Sequence, residues 1–127
     1  MADLRSRLCH QELEPGYQSL RSASQRSAQH VKLYRAWENR TLEGVRTIAD
    51  GIAVKEPGIH TFDLCQQYVD EIVSVTDDEI STAILALIEQ HKLIAEGAGA
   101  VAVAAAMFNK VPIKGKKVIC LISGGNI

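Results

Sequence analysis

The residues best suited to chemistry stand together near the end of the chain: Ser123, Gly124, Gly125 and Asn126. A serine hydroxyl can donate or accept a hydrogen bond, and glycines let a backbone approach a ligand closely. Residues 118–122, just before them, form a short, β-branched apolar run, which predicts a strand buried on both faces. Ligands of open α/β sheets bind at the carboxyl ends of such strands. Spacing alone favours a simpler interpretation, a strand that needs a tight turn.

Two further residues could contribute to a ligand site. Gly51 lies in the small, apolar stretch 47–55, where its lack of a side chain would let the backbone approach a planar ligand. A hairpin or loop crossing the core is the favoured alternative there. Glu96 stands between apolar neighbours at the head of an apolar helix, where a carboxylate is costly to bury unless it is paired. The sequence leaves a helix cap and a functional site equally open for Glu96.

A capping box predicts where one supporting helix begins. Thr76 is followed three residues later by Glu79, the pattern in which each side chain bonds the backbone of the other residue. The predicted helix runs to about His91 and carries one apolar stripe. Three consecutive acids, residues 77–79, could suggest a metal site, but capping explains them with fewer assumptions.

The other predicted elements complete an α/β pattern. Thr61 is a plausible N-cap for a helix, and residues 72–75 form a short strand after it. Residues 97–108 predict a helix that is apolar nearly all round and therefore buried. Residues 30–39 predict a short amphipathic helix. Helices and strands in this order argue for the α/β class.

Composition excludes several functions. The net charge is −1 over 127 residues, which gives no electrostatic case for binding nucleic acid or an anionic membrane. The three cysteines, Cys9, Cys65 and Cys120, share no close spacing, so no disulfide framework or zinc site is predicted. We therefore expect a cytoplasmic protein. No signal peptide is apparent, and residues 97–108 are too few to span a bilayer.

No motif of hydrolytic, nucleotide-binding or metal chemistry is present. The sequence has no Gly-x-Ser-x-Gly elbow, Walker loop or Cys-x-x-Cys pair, and its four histidines lack metal-ligand spacing. Lys55 lies close to a glycine turn; a solvated position is favoured, and a Schiff-base role stays open. Residues 1–29 show no lasting period and predict either a poorly ordered arm or short surface helices.

Five short motifs in register together resemble the threonine dehydratase (threonine ammonia-lyase) and serine racemase family. The family comprises pyridoxal-phosphate enzymes of the second fold type. The motifs include Thr-Ile-Ala-Asp-Gly, Glu-Gly-Ala-Gly and Ser-Gly-Gly-Asn, and they occupy residues 47–58, 69–73, 77–80, 96–100 and 123–126. The resemblance implies a partial three-layer α/β/α fold like that of tryptophan synthase β, with parallel strands and buried helices.

The resemblance implies that pyridoxal 5′-phosphate is bound by Ser123, Gly124, Gly125, Asn126, Gly51 and Glu96. Ser123 would hydrogen-bond the pyridine nitrogen, and Gly51 would lie near one face of the ring. Glu96 would lie close to the edge of the cofactor, and Asn126 would steady the glycine turn. A neutral hydroxyl at the nitrogen makes the ring a weaker electron sink than an aspartate would, which suits α,β-elimination.

Several family motifs have no counterpart in this sequence. The Ser-Phe-Lys motif of the Schiff-base lysine, the Ser-Gly-Asn-His substrate loop, the glycine loop for the cofactor phosphate and the metal motif are missing. We therefore expect residues 30–127 to be the C-terminal portion of a catalytic domain, preceded by a diverged or poorly ordered arm at 1–29. No catalytic or metal-binding residue is predicted, and binding of the cofactor by this chain alone is doubtful.

The implied function is that of a fragment of an enzyme that converts L-threonine to 2-oxobutanoate and ammonia by α,β-elimination of water followed by hydrolysis of the product enamine, as in isoleucine biosynthesis. The chain alone would be inactive. Its expected partners are an amino-acid substrate and either further copies of itself or a full-length subunit, with no nucleic acid and no membrane. The alternative is a non-catalytic interaction or small-metabolite-binding module derived from the dehydratase half-fold.

Overall fold

The computed structural model describes residues 20–24, 46–56 and 58–125. Within these ranges the strands are β1, Leu20–Ser24, and β2, Glu71–Val75. The α-helices are α1, Ile59–Tyr68, α2, Asp77–Ala86, and α3, Gly97–Met107. A 3₁₀ turn occupies Asp50–Ile52, and a π-helical turn, Leu87–His91, continues α2.

The two strands form a parallel sheet. Leu20 is paired with Glu71, and the register continues to Ser24 opposite Val75. In β2, Val73 and Val75 are buried and alternate with less buried residues, as expected of a strand with one face on a core. Parallel strands combined with helices agree with the predicted α/β class.

Strand β1 lies within residues 1–29, where the sequence predicted an arm or short surface helices. The strand was missed because its five residues, Leu20–Ser24, carry no run of β-branched or aromatic side chains. Its pairing with β2 therefore depends on tertiary context. The remainder of residues 1–29 and the helix predicted at 30–39 lie outside the described residues, and those predictions stay untested.

The capping box is confirmed at the start of α2. The Glu79 backbone N–H donates to Thr76 Oγ1 at 3.1 Å, and the Thr76 backbone N–H donates to Glu79 Oε2 at 2.8 Å. Helical structure then reaches His91, as predicted, although its last turn is π-helical. Lys92, with φ of 58°, closes this turn in the left-handed region.

Helix α3 is the buried centre of the described structure. It packs against α2 and β2, and six of its eleven residues are buried, in agreement with the predicted buried helix. The core includes Ile80 and Ala83 of α2, which are fully buried. The other buried members of this core are Ala49, Val73, Val75, Leu87, Ala95, Ala100, Val101, Ala104, Ala105 and Val111.

Residues 118–122 contradict the prediction of a strand buried on both faces. They are not part of a strand, and Val118, Ile119 and Leu121 are 46%, 77% and 52% exposed. A strand needs a neighbour for its backbone hydrogen bonds, and the sheet in the described residues contains only β1 and β2. Val118, Ile119 and Leu121 of this apolar run are therefore exposed, while Cys120 and Ile122 are partly buried.

The N-cap predicted for α1 is also wrong. The helix begins at Ile59, with Gly58 rather than Thr61 as its N-cap, and Phe62 N–H donates to the Gly58 carbonyl at 2.8 Å. The buried residues of this helix are Phe62 and Cys65. Thr61 does not cap the helix because the helix extends further toward the N-terminus and begins at Ile59.

Two cysteines of the described residues have free thiols. Cys65 is buried, and Cys120 is half-buried with its Sγ 3.7 Å from the Ala102 carbonyl oxygen. Burial raises the pKa of the Cys120 thiol. Over the same ranges, no helix is long and apolar enough to cross a membrane, and no cluster of three His, Cys, Asp or Glu side chains could hold a metal ion.

Candidate functional site

Two segments distant in sequence meet at the N-terminus of α3. The turn at residues 123–125 is held there by its backbone, because Glu96 N–H donates to the Gly124 carbonyl at 2.8 Å. The loop around Gly51 approaches from another side, where a Cβ added to Gly51 would lie 3.1 Å from Ala98 Cβ. Five of the six predicted cofactor-binding residues therefore lie together, and Asn126 lies outside the described residues.

Two glycines of α3 make this convergence possible. A Cβ on Gly97 would lie 2.5 Å from the Ile48 carbonyl oxygen, and a Cβ on Gly99 would overlap the Ser123 carbonyl oxygen. Real Cβ atoms do not approach backbone atoms so closely. Gly97 and Gly99 are therefore required by the packing of the site, although the sequence did not single them out individually. The available signal was a pair of glycines in the first turn of a helix, where each costs about 1 kcal/mol relative to alanine.

The Glu96 carboxylate does not cap α3. Glu96 occupies the N-cap position, but its side chain makes no capping hydrogen bond. Its Oε1 lies 3.2 Å from the position of a Cβ on Gly51, and a Cβ on Gly124 would overlap its side chain. Of the two interpretations left open by the sequence, the geometry excludes the cap and leaves the half-buried carboxylate facing both glycines.

Ser123 presents a hydroxyl at the surface of this junction. The residue is exposed, and its hydroxyl has no hydrogen-bond partner among the residues that the structure describes. Gly124 follows with φ of 70°, a conformation that L-residues rarely adopt, so the turn itself requires glycine. Gly125 is exposed, and a Cβ there would lie 3.4 Å from the Ile94 carbonyl oxygen, an ordinary contact. The turn therefore exposes a hydroxyl that can donate or accept and that has no partner within the described ranges.

The charged pair nearest the start of α2 has a structural role. Lys110 Nζ lies 2.7 Å from Glu79 Oε1, and the Glu79 side chain is only 16% exposed. Burial pushes the pKa of Glu79 upward, but hydrogen bonds from Lys110 and Thr76 outweigh this effect and lower it below its ordinary value. The carboxylate therefore stays ionised, and it serves the capping box rather than the junction around Glu96.

The fold and this junction define the class of protein. Residues 18–124 match the family described as "Pyridoxal-phosphate dependent enzyme". The match covers most of the chain, including β1, α1 to α3 and Ser123. The chain therefore belongs to the pyridoxal-phosphate-dependent enzymes, and pyridoxal phosphate is the cofactor of this family.

Two relatives show which enzymes of this family the chain resembles in sequence. The chain is 62% identical over 86 residues to the L-threonine ammonia-lyase of Thermotoga maritima, an alignment covering 68% of this chain and 21% of that protein. It is 52% identical over 81 residues to the L-threonine ammonia-lyase of Geobacter sulfurreducens, covering 64% of this chain and 20% of the relative. The chain thus spans about a fifth of the length of these relatives.

Solved structures agree with this assignment. The processed form of threonine deaminase isoform 2 from Solanum lycopersicum superposes with a TM-score of 0.86 at 28% identity, over 98% of this chain and 37% of that structure. The serine racemase of Dictyostelium discoideum gives a TM-score of 0.85 at 27% identity, over 98% of this chain and 40% of that structure. The fold is that of the second fold type of pyridoxal-phosphate enzymes, of which this chain corresponds to a part.

The side chains at the junction suit one edge of this cofactor. The Ser123 hydroxyl is free to bond a ring nitrogen, since a serine can act as donor or acceptor. Gly51 packs against Ala98 and the Glu96 carboxylate on the side where a Cβ would stand, so a flat ring would have to lie on its other side. The Ser123 hydroxyl is thus the group of this junction whose chemistry would suit the nitrogen of pyridoxal phosphate.

Proposed function

We propose that this chain supplies the pyridine-nitrogen end of the cofactor site in a threonine ammonia-lyase. The reaction would convert L-threonine to 2-oxobutanoate and ammonia by α,β-elimination. One observation carries the proposal: the Ser123 turn, Glu96 and Gly51, far apart in sequence, converge at the start of α3. The identity of 62% to the Thermotoga maritima ammonia-lyase supports the choice of reaction.

The residues of the junction would hold and tune the cofactor. Pyridoxal phosphate, when bound, supplies an electron sink that makes the α-proton of an amino acid easier to remove. Ser123 would bond the ring nitrogen without holding a proton on it, because a hydroxyl is neutral. Gly51 would approach one face of the ring with its backbone, on the side away from Ala98 and Glu96. Glu96 would place a negative charge beside the same edge and steady the turn through its backbone N–H.

This chain contributes no catalytic residue in the proposal. The sequence has no Ser-Phe-Lys motif and no glycine loop for the phosphate, so the lysine that holds the cofactor would have to come from elsewhere. We expect no 2-oxobutanoate when the purified chain is mixed with pyridoxal phosphate and threonine. Sustained turnover, with Lys55 trapped by borohydride, would contradict this part of the proposal.

A chimera tests the function directly. The 86 aligned residues of this chain replace their counterparts in the Thermotoga maritima ammonia-lyase, which they match at 62% identity. We expect the chimera to form 2-oxobutanoate from threonine at a rate within about tenfold of the parent, because a tenfold change corresponds to only about 1.4 kcal/mol in the barrier.

Two serine variants of the chimera test whether its turnover depends on Ser123. Ser123→Ala should reduce turnover and alter the absorption of the bound cofactor. Ser81→Ala is the control, since the Ser81 hydroxyl only bonds the Asp77 carbonyl at 2.9 Å on the exposed face of α2. Equal behaviour of the two variants, or a chimera that binds the cofactor but gives no 2-oxobutanoate, would refute the proposal.

A second candidate function is a non-catalytic association module. The observation in its favour is the exposed apolar run at residues 118–122, where the sequence pattern predicts burial on both faces. Such a surface would pair with another polypeptide, either a second copy or a full-length dehydratase subunit. Size-exclusion chromatography at several concentrations tests this candidate: a monomer at all concentrations, unchanged when the Thermotoga maritima enzyme is added, would exclude both partners.

The cellular setting is a further part of the proposal. We place the chain in the cytoplasm and in isoleucine biosynthesis, with a dehydratase-like unit that begins before residue 30, since the family match starts at residue 18. One relative, 46% identical over 85 residues, is the biosynthetic L-threonine dehydratase of Halalkalibacterium halodurans. Growth of an isoleucine auxotroph carrying the chimera, without added isoleucine, tests the metabolic role; no growth from a chimera that is active in the test tube would exclude it.

A further inference from the structure

We propose that Gly99 is a positioning residue for Ser123, and that Gly97 does the same for the loop that carries Gly51. The two glycines lie in the first turn of α3 and carry no side chain that could bond a ligand. They act through the backbone, by letting the helix contact two other segments directly. The inference deepens the proposed function and rests on it for its catalytic meaning, but the contacts themselves are independent of the cofactor.

The first contact joins Gly99 to the Ser123 peptide. A Cβ on Gly99 would overlap the Ser123 carbonyl oxygen, and it would also lie 2.8 Å from the Ser123 carbonyl carbon and 3.2 Å from the Ser123 nitrogen. Three backbone atoms of one residue thus surround the position of the missing methyl group. Since the opposing atoms are backbone, no side chain can rotate away to relieve an overlap. The absence of a side chain at 99 therefore fixes how far Ser123 stands from α3.

The second contact joins Gly97 to the loop before Gly51. A Cβ on Gly97 would lie 2.5 Å from the Ile48 carbonyl oxygen and 3.1 Å from Ala49 Cα. Ala49 is fully buried, so this loop is anchored in the core and cannot retreat easily. Residue 97 therefore sets the position of the loop, while residue 99 sets the position of the serine turn.

Helix geometry explains why Gly97 and Gly99 contact different segments. Residues two apart are separated by about 200° around a helix with 3.6 residues per turn, so they lie on nearly opposite sides. Gly97 therefore contacts the backbone of Ile48 and Ala49, whereas Gly99 contacts that of Ser123. The Glu96 side chain lies close to both Gly51 and Gly124, so the two segments still meet. The intervening Ala98 lies against Gly51.

The test measures the backbone of the cofactor-free chain by NMR spectroscopy. In Gly99→Ala we expect amide shifts of Ser123 and Gly124 to change, and hydrogen exchange at the Glu96 amide to accelerate roughly tenfold as its bond to Gly124 weakens. In Gly97→Ala the largest shifts should instead fall at Ile48 and Ala49. Gly58→Ala is the matched control: Gly58 also stands at a helix start, and its nearest neighbour, Thr61 Oγ1, is 3.4 Å from an added Cβ.

A second reporter is the cofactor in the chimera described above. We expect Gly99→Ala to alter the cofactor absorption in the same direction as Ser123→Ala, whereas a general loss of stability would lower occupancy without changing the band. Shifts at Ser123 that are equal in the Gly97→Ala and Gly99→Ala chains would overturn the inference. Should Gly99→Ala not fold, nuclear Overhauser contacts between Gly99 and Ser123 in the unmodified chain decide, and their absence would refute it.

The two proposals fail in different ways. A chimera that does not act on threonine refutes the proposed function, while the NMR shifts of the cofactor-free chain still decide the roles of Gly97 and Gly99. Unchanged Ser123 shifts in Gly99→Ala refute the positioning role, whatever the activity of the chimera.

Discussion

Helices α2 and α3 begin in opposite ways. Helix α2 satisfies its first turn with side chains, through the reciprocal bonds of Thr76 and Glu79 and three consecutive acids beside the positive end of the helix dipole. Helix α3 has no acid inside its first turn and no side-chain cap, and it begins with two glycines instead. Glycine lowers the stability of a helix relative to alanine. The start of α3 is therefore locally less stable, but its glycines allow close contact with other segments.

The start of α2 is stabilised by its own side chains, whereas the start of α3 brings together segments that are distant in sequence. At α2 the reciprocal bonds of the capping box close within a single turn of the helix. At α3 the Glu96 N–H bonds Gly124, and the Glu96 carboxylate faces Gly51 and Gly124.

The largest effect is expected at Gly124. Gly124→Ala places a side chain at φ of 70° and against the Glu96 side chain, so it should lower the free energy of unfolding by about 2–5 kcal/mol. Gly115→Ala is the control, because Gly115 has φ of 75° but no atom within 4 Å of an added Cβ. We expect about 1–2 kcal/mol there, from backbone strain alone. Urea unfolding of both variants gives the difference, and equal losses would mean that Glu96 does not confine this turn.

An intermediate effect is expected at the capping box. Thr76→Ala should lower the free energy of unfolding by about 0.5–2 kcal/mol, because the Glu79 N–H loses its acceptor. Thr76→Ser should retain most of it. Glu96→Gln, at the corresponding position of α3, should change stability by less than about 0.5 kcal/mol, since no capping bond is lost. A larger loss in Glu96→Gln than in Thr76→Ala would reverse the comparison of the two helices.

The smallest effect concerns pH. Because the folded-state pKa of Glu79 is lowered, its contribution to stability is complete above the unfolded-state pKa and is lost as the pH falls through the lowered folded value. The stability difference between the unmodified chain and Glu79→Gln should therefore be constant near neutral pH and shrink in acid. Added salt should reduce this stability difference less than it would for a fully exposed ion pair, since the Glu79 side chain is largely buried. A difference that grows in acid would contradict this assignment.

Much of the supporting structure was readable from local chemistry. The capping box at Thr76, the strand before it and the buried helix from Gly97 depend on residues close together in sequence, and each is found. The approach of Gly51, Glu96 and the Ser123 turn was implied by family resemblance alone. No local pattern could bring together segments so far apart along the chain.

The errors have a common origin in missing context. Residues 118–122 have the composition of a buried strand, but composition cannot supply the neighbouring strand that would bury them. Strand β1 shows the reverse, a segment without a strand pattern that pairs because β2 is available. Thr61 could cap a helix but lies inside one that begins at Ile59. In each case a partner distant in sequence or an earlier helix start decided the outcome.

The hydroxyl of Thr47 joins the two helix starts that otherwise differ so much. It donates to Asp77 in the first turn of α2 and also accepts from the Ala49 N–H, at the root of the loop that touches Glu96. Substitutions on the two sides of this bridge should therefore not be additive. In a double-mutant cycle, a change at Asp77 and a change at Gly97 would show an interaction energy of about 0.5 kcal/mol or more, although the two residues belong to separate helices.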